Sequence, residues 1–341
     1  MADDNPPTSK PTQDELAKAA RHELTRAVEL FWSDRCDWLK EKGYILRPRY
    51  QPGWVPSWIT TKKSMLECED RKTYPREVIM DASRISDGAF VMLKYIEREI
   101  HPYEVEIGTW FSQEPQASDP DNHCVPIFDV LDVPDIPGRQ IIVMPLLRNY
   151  DKPGLRYMHR NNVAHRDCMS LNIMVDATPI YPIPYHPVSE GMKRDWSGRV
   201  WHLTRTQRPV KYYLTDFGIS RRYPPDVRAP LEPIIVGGDK TVPEFKRTKD
   251  GRLPLKCDPF PTDVYYIGNL IRRIHKHDPS LRPTMDEVVV RLEETVRGLS
   301  QWKLRSRVVM VNDDFEVYHA IRHWARKPIL ILTNTPAIPT P

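Results

Sequence analysis

His165-Arg166-Asp167-Cys168-Met169-Ser170-Leu171-Asn172 is the stretch on which the reading of this chain turns, together with Asp216-Phe217-Gly218 further on. The first string sets a candidate base, Asp167, five positions ahead of an amide, Asn172. The second adds a carboxylate, Asp216, beside a bulky apolar anchor and a glycine that permits a backbone swing. Either string alone is weak, because three-residue motifs recur by chance. Both in this order, with supporting pieces on each side, carry weight. Between them, residues 175–210 hold several prolines and tyrosines with Trp196 and Trp201, where a short hairpin would suffice. A structural flap is the favoured reading of that segment, and a partner-binding insert is the alternative.

Working outward, 341 residues suit one large domain plus tails or two smaller ones. Hydrophobic residues at 40% and charged ones at 28% fit a packed core. A net charge of +4 is too small and too evenly spread to argue for nucleic acid. No apolar run approaches spanning length, and the acidic, proline-rich start is not a secretory signal. The five cysteines, Cys36, Cys68, Cys124, Cys168 and Cys257, form no C-x-x-C pair and read as reduced thiols of the cytoplasm or nucleus. Cys168, next to Asp167, reads as a small buried side chain. The 34 prolines are roughly twice the usual share and mark loops and edges. These features predict no nucleic-acid and no membrane partner.

Residues 1–11 read as a disordered tail. Thr12-Gln13-Asp14-Glu15 forms a capping box. Leu16, Ala20, Leu24, Ala27, Val28, Phe31 and Trp38 follow at helical spacing, up to Lys42-Gly43. Such a helix packs on the protein's own core more readily than on a membrane, because its other face mixes both charges. A connector built around Trp54 and Trp58 completes residues 12–75. Residues 78–82 and 90–95, about the turn Ser86-Asp87-Gly88, read as a β-hairpin. A short helix is expected within 101–111. A second strand pair, 124–131 and 140–145, follows around the turn at 134–138.

Val91-Met92-Leu93-Lys94, the HRDxxxxN string, Asp216-Phe217-Gly218, Thr241-Val242-Pro243-Glu244 and Arg282-Pro283-Thr284 together resemble the signatures of the eukaryotic protein-kinase superfamily. Pro102-Tyr103-Glu104-Val105-Glu106-Ile107-Gly108 and Gly237-Gly238-Asp239-Lys240 resemble kinase-like proteins of mushroom-forming fungi. The resemblance implies an α+β, two-lobed fold. A small β-rich lobe would cover 76–147 and a mainly helical lobe with shortened helices 148–299, with a C-terminal extension at 300–341.

The resemblance also implies roles. Asp167 would orient the substrate hydroxyl. Arg166 is similar to the arginine that reads a phosphorylated activation loop. Lys94 would reach the ATP phosphates, held by Glu104 or, alternatively, Glu106; Ile107 and Phe111 follow Glu104 on a core-facing spacing. Backbone groups of Met144 and Leu146 would bind adenine, and Asn172 and Asp216 would chelate magnesium. Asp263 would secure the catalytic-loop backbone, and a buried Glu244–Arg282 pair would be structural. Ser220 and Thr241 bracket the segment where a phosphate could pair with arginine. The implied activity is ATP- and Mg-dependent transfer of the γ-phosphate to Ser/Thr hydroxyls of a protein substrate.

Four departures temper this. No G-x-G-x-x-G precedes the Lys94 strand. Met169 stands where serine/threonine kinases carry a lysine, and losing one such contact costs roughly 10²–10³ in rate. The intervals 144–165 and 268–282 are short for the helices usually found there, with only a helical stub at 154–161. These favour, as alternative, a pseudokinase acting as nucleotide-binding or scaffold module. A small-molecule phosphotransferase is the third reading.

Overall fold

The computed structural model describes residues 12, 27–61, 63–74, 78–149, 155–235, 239–246, 256–271, 282–305 and 316–337. The tail, the capping box beyond Thr12, the first half of the N-terminal helix, Gly237-Gly238 and most of the 268–282 interval lie outside the described residues. The chain is α+β and divides into two compact units. The first comprises Met1–Ile96, Asp129–Leu146 and Tyr185–Val200; the second comprises Glu97–Phe128, Leu147–Pro184 and Trp201–Pro341.

The first unit opens with α1 (Ala27–Ser33) and α2 (Cys36–Glu41). Continuous helical spacing predicts Phe31 and Trp38 as the inward residues. The helix instead breaks at Asp34 and Arg35, where the Arg35 guanidinium turns back to donate to Phe31 O (2.9 Å) and pairs with Asp135. The break shifts the phase, so Trp32, Cys36 and Leu39 are buried, and Phe31 and Trp38 are only half-buried. Gly43, at φ +97°, ends the segment as the sequence indicates.

α3 (Ser57–Thr60) lies in the connector that follows β1 (Tyr44–Leu46). β2 (Ile79–Arg84) and β3 (Phe90–Glu97) form the expected hairpin, with Asp81 opposite Met92 and Gly88 at φ +71° in the turn. β4 (Asp129–Asp132) and β5 (Arg139–Pro145) form the second pair. The five strands make one antiparallel sheet in the order β1-β2-β3-β5-β4. Its edge strand, β1, lies ahead of the boundary expected at residue 76, so residues 47–78 are the connection between two neighbouring strands. Trp32, Leu39, Leu46, Ala82, Val91, Leu93, Ile141 and Val143 form the core between helices and sheet.

The connector is pinned by buried charge. Arg47 pairs with Asp81 (2.9 Å) and Glu69 (2.9 Å). The segment 185–200 supplies the rest: Arg194 reaches the other Asp81 oxygen (2.9 Å), and Trp196 Nε1 donates to Glu67 O (2.8 Å). Val188 and Ser189 N–H both donate to His186 Nδ1, which leaves the proton on Nε2 for Glu69 Oε1 (2.7 Å). Burial works against the Glu69 anion, yet His186 and Arg47 together hold its carboxyl down at about 2. Stability from this arrangement is therefore present above the ordinary glutamate value and is lost as pH falls towards about 2. His186→Ala strands two backbone donors and leaves Glu69 Oε1 with Arg47 as its remaining donor; we expect a loss of about 1–3 kcal/mol in urea unfolding and early proteolysis within 185–200.

In the second unit, α4 (Glu104–Phe111) buries Glu104, Ile107, Gly108 and Phe111, and exposes Glu106. A three-stranded sheet joins β6 (Arg148–Asn149), β8 (Ile173–Val175) and β9 (Tyr212–Leu214). The stub is α5 (Leu155–Arg160), followed by β7 (Val163–Ala164), which pairs with β10 (Arg221–Arg222). β11 (Glu232–Pro233) pairs with β12 (Lys256–Cys257). The helices α6 (Pro259–Ile271), α7 (Met285–Arg297), α8 (Gln301–Leu304) and α9 (Glu316–Leu332) complete it. α7 starts on a Thr284–Glu287 capping box. Among the described residues no helix is long and apolar enough to cross a membrane.

Candidate active site

Two ladders and one helix assemble the site in the second unit. β8 and β9 pair with Ile173 opposite Leu214, and Thr215 N–H extends the ladder to Asn172 O (2.9 Å). The residues just before β8 and just after β9 are therefore neighbours, although a long segment separates them in sequence. β7 and β10 hold the other ends of the same two loops.

α6 fixes the loop backbone. Asp263, fully buried, accepts from His165 N (2.7 Å), Arg166 N (2.7 Å) and the His159 ring (3.1 Å). His165 Nδ1 accepts from Asp167 N (3.3 Å), so its Nε2–H donates to Thr215 O (3.1 Å). One imidazole thereby ties the 165–172 loop to the 215–218 loop. Both loops depart from ordinary backbone: Arg166 has φ +72° and Asp216 φ +68°. Non-glycine residues reach that region only when their surroundings hold them there.

The chemistry-bearing groups converge as follows. Asn172 Nδ2 donates to Asp167 Oδ2 (2.8 Å) and to Asp167 O (3.0 Å). Asp167 and Asp216 line a cavity of about 510 Å³ with His101, Arg166, Gly218, Arg221 and Glu232 among its walls. Burial pushes the Asp167 carboxyl above its ordinary value; Asp216 and Asp263 push the same way, against the Asn172 amide. Phe217 is buried against His165 (ring centroids 5.8 Å) and Phe111 (6.2 Å), which anchors the second string. A Cβ at Gly218 would stand 2.7 Å from His101 Nδ1 and 3.2 Å from Glu104 Oε2, so only glycine fits without displacement. Cys168 is fully buried, and burial raises its thiol well above the ordinary value.

The remaining expected residues fall as follows. Arg166 donates to Ile219 O (3.1 Å) and Pro233 O (2.7 Å) and lies 3.6 Å from the Glu232 carboxylate. Ser220 is fully buried and its hydroxyl donates to His165 O (3.0 Å), so it serves as a structural donor. Thr241 is exposed and donates to Asp239 (2.6 Å). Arg282 forks onto Glu244 with contacts of 2.5 and 2.6 Å. Lys94, Met144 and Leu146 belong to the first unit. Lys94 is on β3 opposite Ile79, Met144 is on β5, and Leu146 N–H donates to Phe90 O (3.4 Å).

Sequence reasoning gave no role to His101, whose ring Nδ1 lies 3.2 Å from Gly218 O, nor to Glu232. Only the His-Pro start before α4 marks the first, and nothing local marks the second. Among the described residues no three His, Cys, Asp or Glu side chains form a metal-ligand cluster. Two carboxylates and an amide oxygen are an all-oxygen donor set, which suits a hard cation such as magnesium. No protein-family model and no curated protein matches this chain.

Asparagine at 263 can offer acceptors to only one of the two loop N–H groups and sets an NH₂ against the other. Asp263→Asn is expected to cost about 1–3 kcal/mol in denaturant unfolding and to speed amide exchange at His165 and Arg166.

Proposed function

We propose that this chain is a protein-kinase-like, two-lobed phosphotransferase that moves the γ-phosphate of ATP to Ser/Thr hydroxyls of a protein substrate. The carrying observation is the join between the loops: Asn172 bonded to Asp167, with Asp167 and Asp216 facing one cavity. The sheet order β1-β2-β3-β5-β4, the helix between β3 and β4, and the Asp263 and Glu244–Arg282 ties support the same reading.

In this reading Asp167 Oδ2 is held by the Asn172 amide, which leaves Oδ1 for the acceptor hydroxyl. A carboxyl raised by burial is a better base than an exposed one, because its pKa lies closer to working pH. The nitrogen of Asn172 is committed to Asp167, so its amide oxygen and the Asp216 carboxylate are the ends offered to a cation. Magnesium, when bound, would neutralise phosphate charge.

A second reading, a nucleotide-binding scaffold, is favoured by two features. Residues 47–78, between β1 and β2, form a long tryptophan-bearing connector whose single glycine is Gly53, and Met169 adds no charge beside Asp167. Incubation with labelled ATP, magnesium and generic protein substrates tests both. Transfer lost in Asp167→Asn supports the enzyme. A thermal shift with ATP and magnesium but no transfer selects the scaffold, and neither signal removes nucleotide from the account.

A further inference from the structure

The terminal helix α9 turns its apolar side to solvent. Ile321 is 66% and Leu332 83% exposed, and Trp324, Ile329 and Ile331 are exposed beside them. At 3.6 residues per turn these five fall with Pro328 inside one arc of about 160°. Trp302 of α8, also exposed, extends that strip, with its ring 6.0 Å from Trp324.

The flank of the helix beside that strip is the one tied down. Lys327 is 3% exposed, with its ammonium 3.7 Å from the Trp302 ring and 5.4 Å from Trp324. Arg305 donates to Thr335 O. An amphipathic helix on a globular protein normally does the reverse and buries its apolar stripe.

Charge decides between occupants. Of the charged side chains described on α8 and α9, Lys303 and Arg326 are exposed, and both are cations. Two copies meeting on this strip would bring like charges together. An apolar strip with tryptophan and a cationic margin matches the boundary between acyl chains and anionic headgroups. With 17 residues, an internal proline and these charges, α9 lies along such a boundary and does not cross it.

We propose that the outward face of α9, with Trp302, is a docking surface for an anionic lipid bilayer. This departs from the expectation of no membrane partner, which rested on the absence of a spanning run and on the N-terminal helix. It is independent of the phosphotransfer reading.

The test floats the full chain with vesicles of phosphatidylcholine alone or of phosphatidylcholine and phosphatidylserine at 3:1. Co-flotation with the anionic vesicles only, weakened by salt, is expected. Ile321→Asp with Leu332→Asp should cut that binding ten-fold or more at an unchanged thermal midpoint, since both positions are exposed. Ile321→Leu with Leu332→Ile should keep it. Arg326→Gln should weaken it roughly five-fold, one surface cation's share. Failure to float with anionic vesicles, or equal flotation with both compositions, overturns the proposal. So does a dimer in sedimentation equilibrium that the aspartate pair dissolves while flotation is unaffected.

Discussion

Asp167→Asn is expected to lose at least 10²-fold in phosphotransfer and to gain thermal stability. The first half follows from the proposed role. An amide cannot accept the hydroxyl proton, and general-base catalysis contributes about 10²–10⁴. The second half follows from burial. The raised carboxyl means that the folded state disfavours the anion relative to the unfolded chain. Such a group contributes stability below its unfolded value, and that contribution is lost as pH rises through the folded value. At neutral pH the wild type therefore carries a penalty that a neutral amide does not. The Asn172 bond survives, because the asparagine carbonyl still accepts it. Thermal melts at neutral pH and at pH 4 check this: the gap between variant and wild type should shrink on the acid side. A variant that melts earlier than wild type at neutral pH would falsify the burial argument; undiminished transfer would remove Asp167 from the chemistry.

Arg282→Met should be the most destabilising single change to the ion pairs of the second unit, at about 3–5 kcal/mol. The Arg282 side chain is almost wholly buried and that of Glu244 nearly so. Arg282 also donates to Pro261 O (2.9 Å) and lies 4.8 Å over the Tyr265 ring. Removing the cation leaves Glu244 charged in a dry setting. Removing both charges does not, so Glu244→Met with Arg282→Met should recover much of the loss. Arg282→Lys should fall between, because an ammonium cannot reproduce the two-pronged contact. Urea unfolding of the four proteins closes this cycle. A double variant no better than the arginine variant alone would show that the Pro261 and Tyr265 contacts, not the pair, hold this corner.

Legibility in the sequence followed the range of each interaction. The β2–β3 hairpin was readable because alternation and a glycine turn are local. The Asp263 tie and the Glu244–Arg282 pair, though distant, were readable through the motifs that carry them. β1 was not: three residues have no period. Trp32 was missed because the helix breaks at Asp34 and Arg35, and a break resets the spacing. Glu69 and His186 stand 117 positions apart, and neither has a neighbour that announces the other. His101 and Glu232 act across long separations, one at the Gly218 carbonyl and the other beside the Arg166 guanidinium. The outward face of α9 was unread for a different reason. Amphipathic spacing is identical whether the apolar side faces in or out, and only exposure tells the two apart.

The first unit is sewn from three separate lengths of chain, and the last stitch is late. Asp81 and Glu69 acquire Arg194 and His186 only once residue 200 has cleared the ribosome. Until then the nascent sheet carries Asp81 with Arg47 as its one cation, and the Trp54–Trp58 connector has no strap. Shortened versions ending after β5 should therefore be insoluble or chaperone-bound, and supplying residues 185–200 as a separate peptide is the direct route to rescuing them.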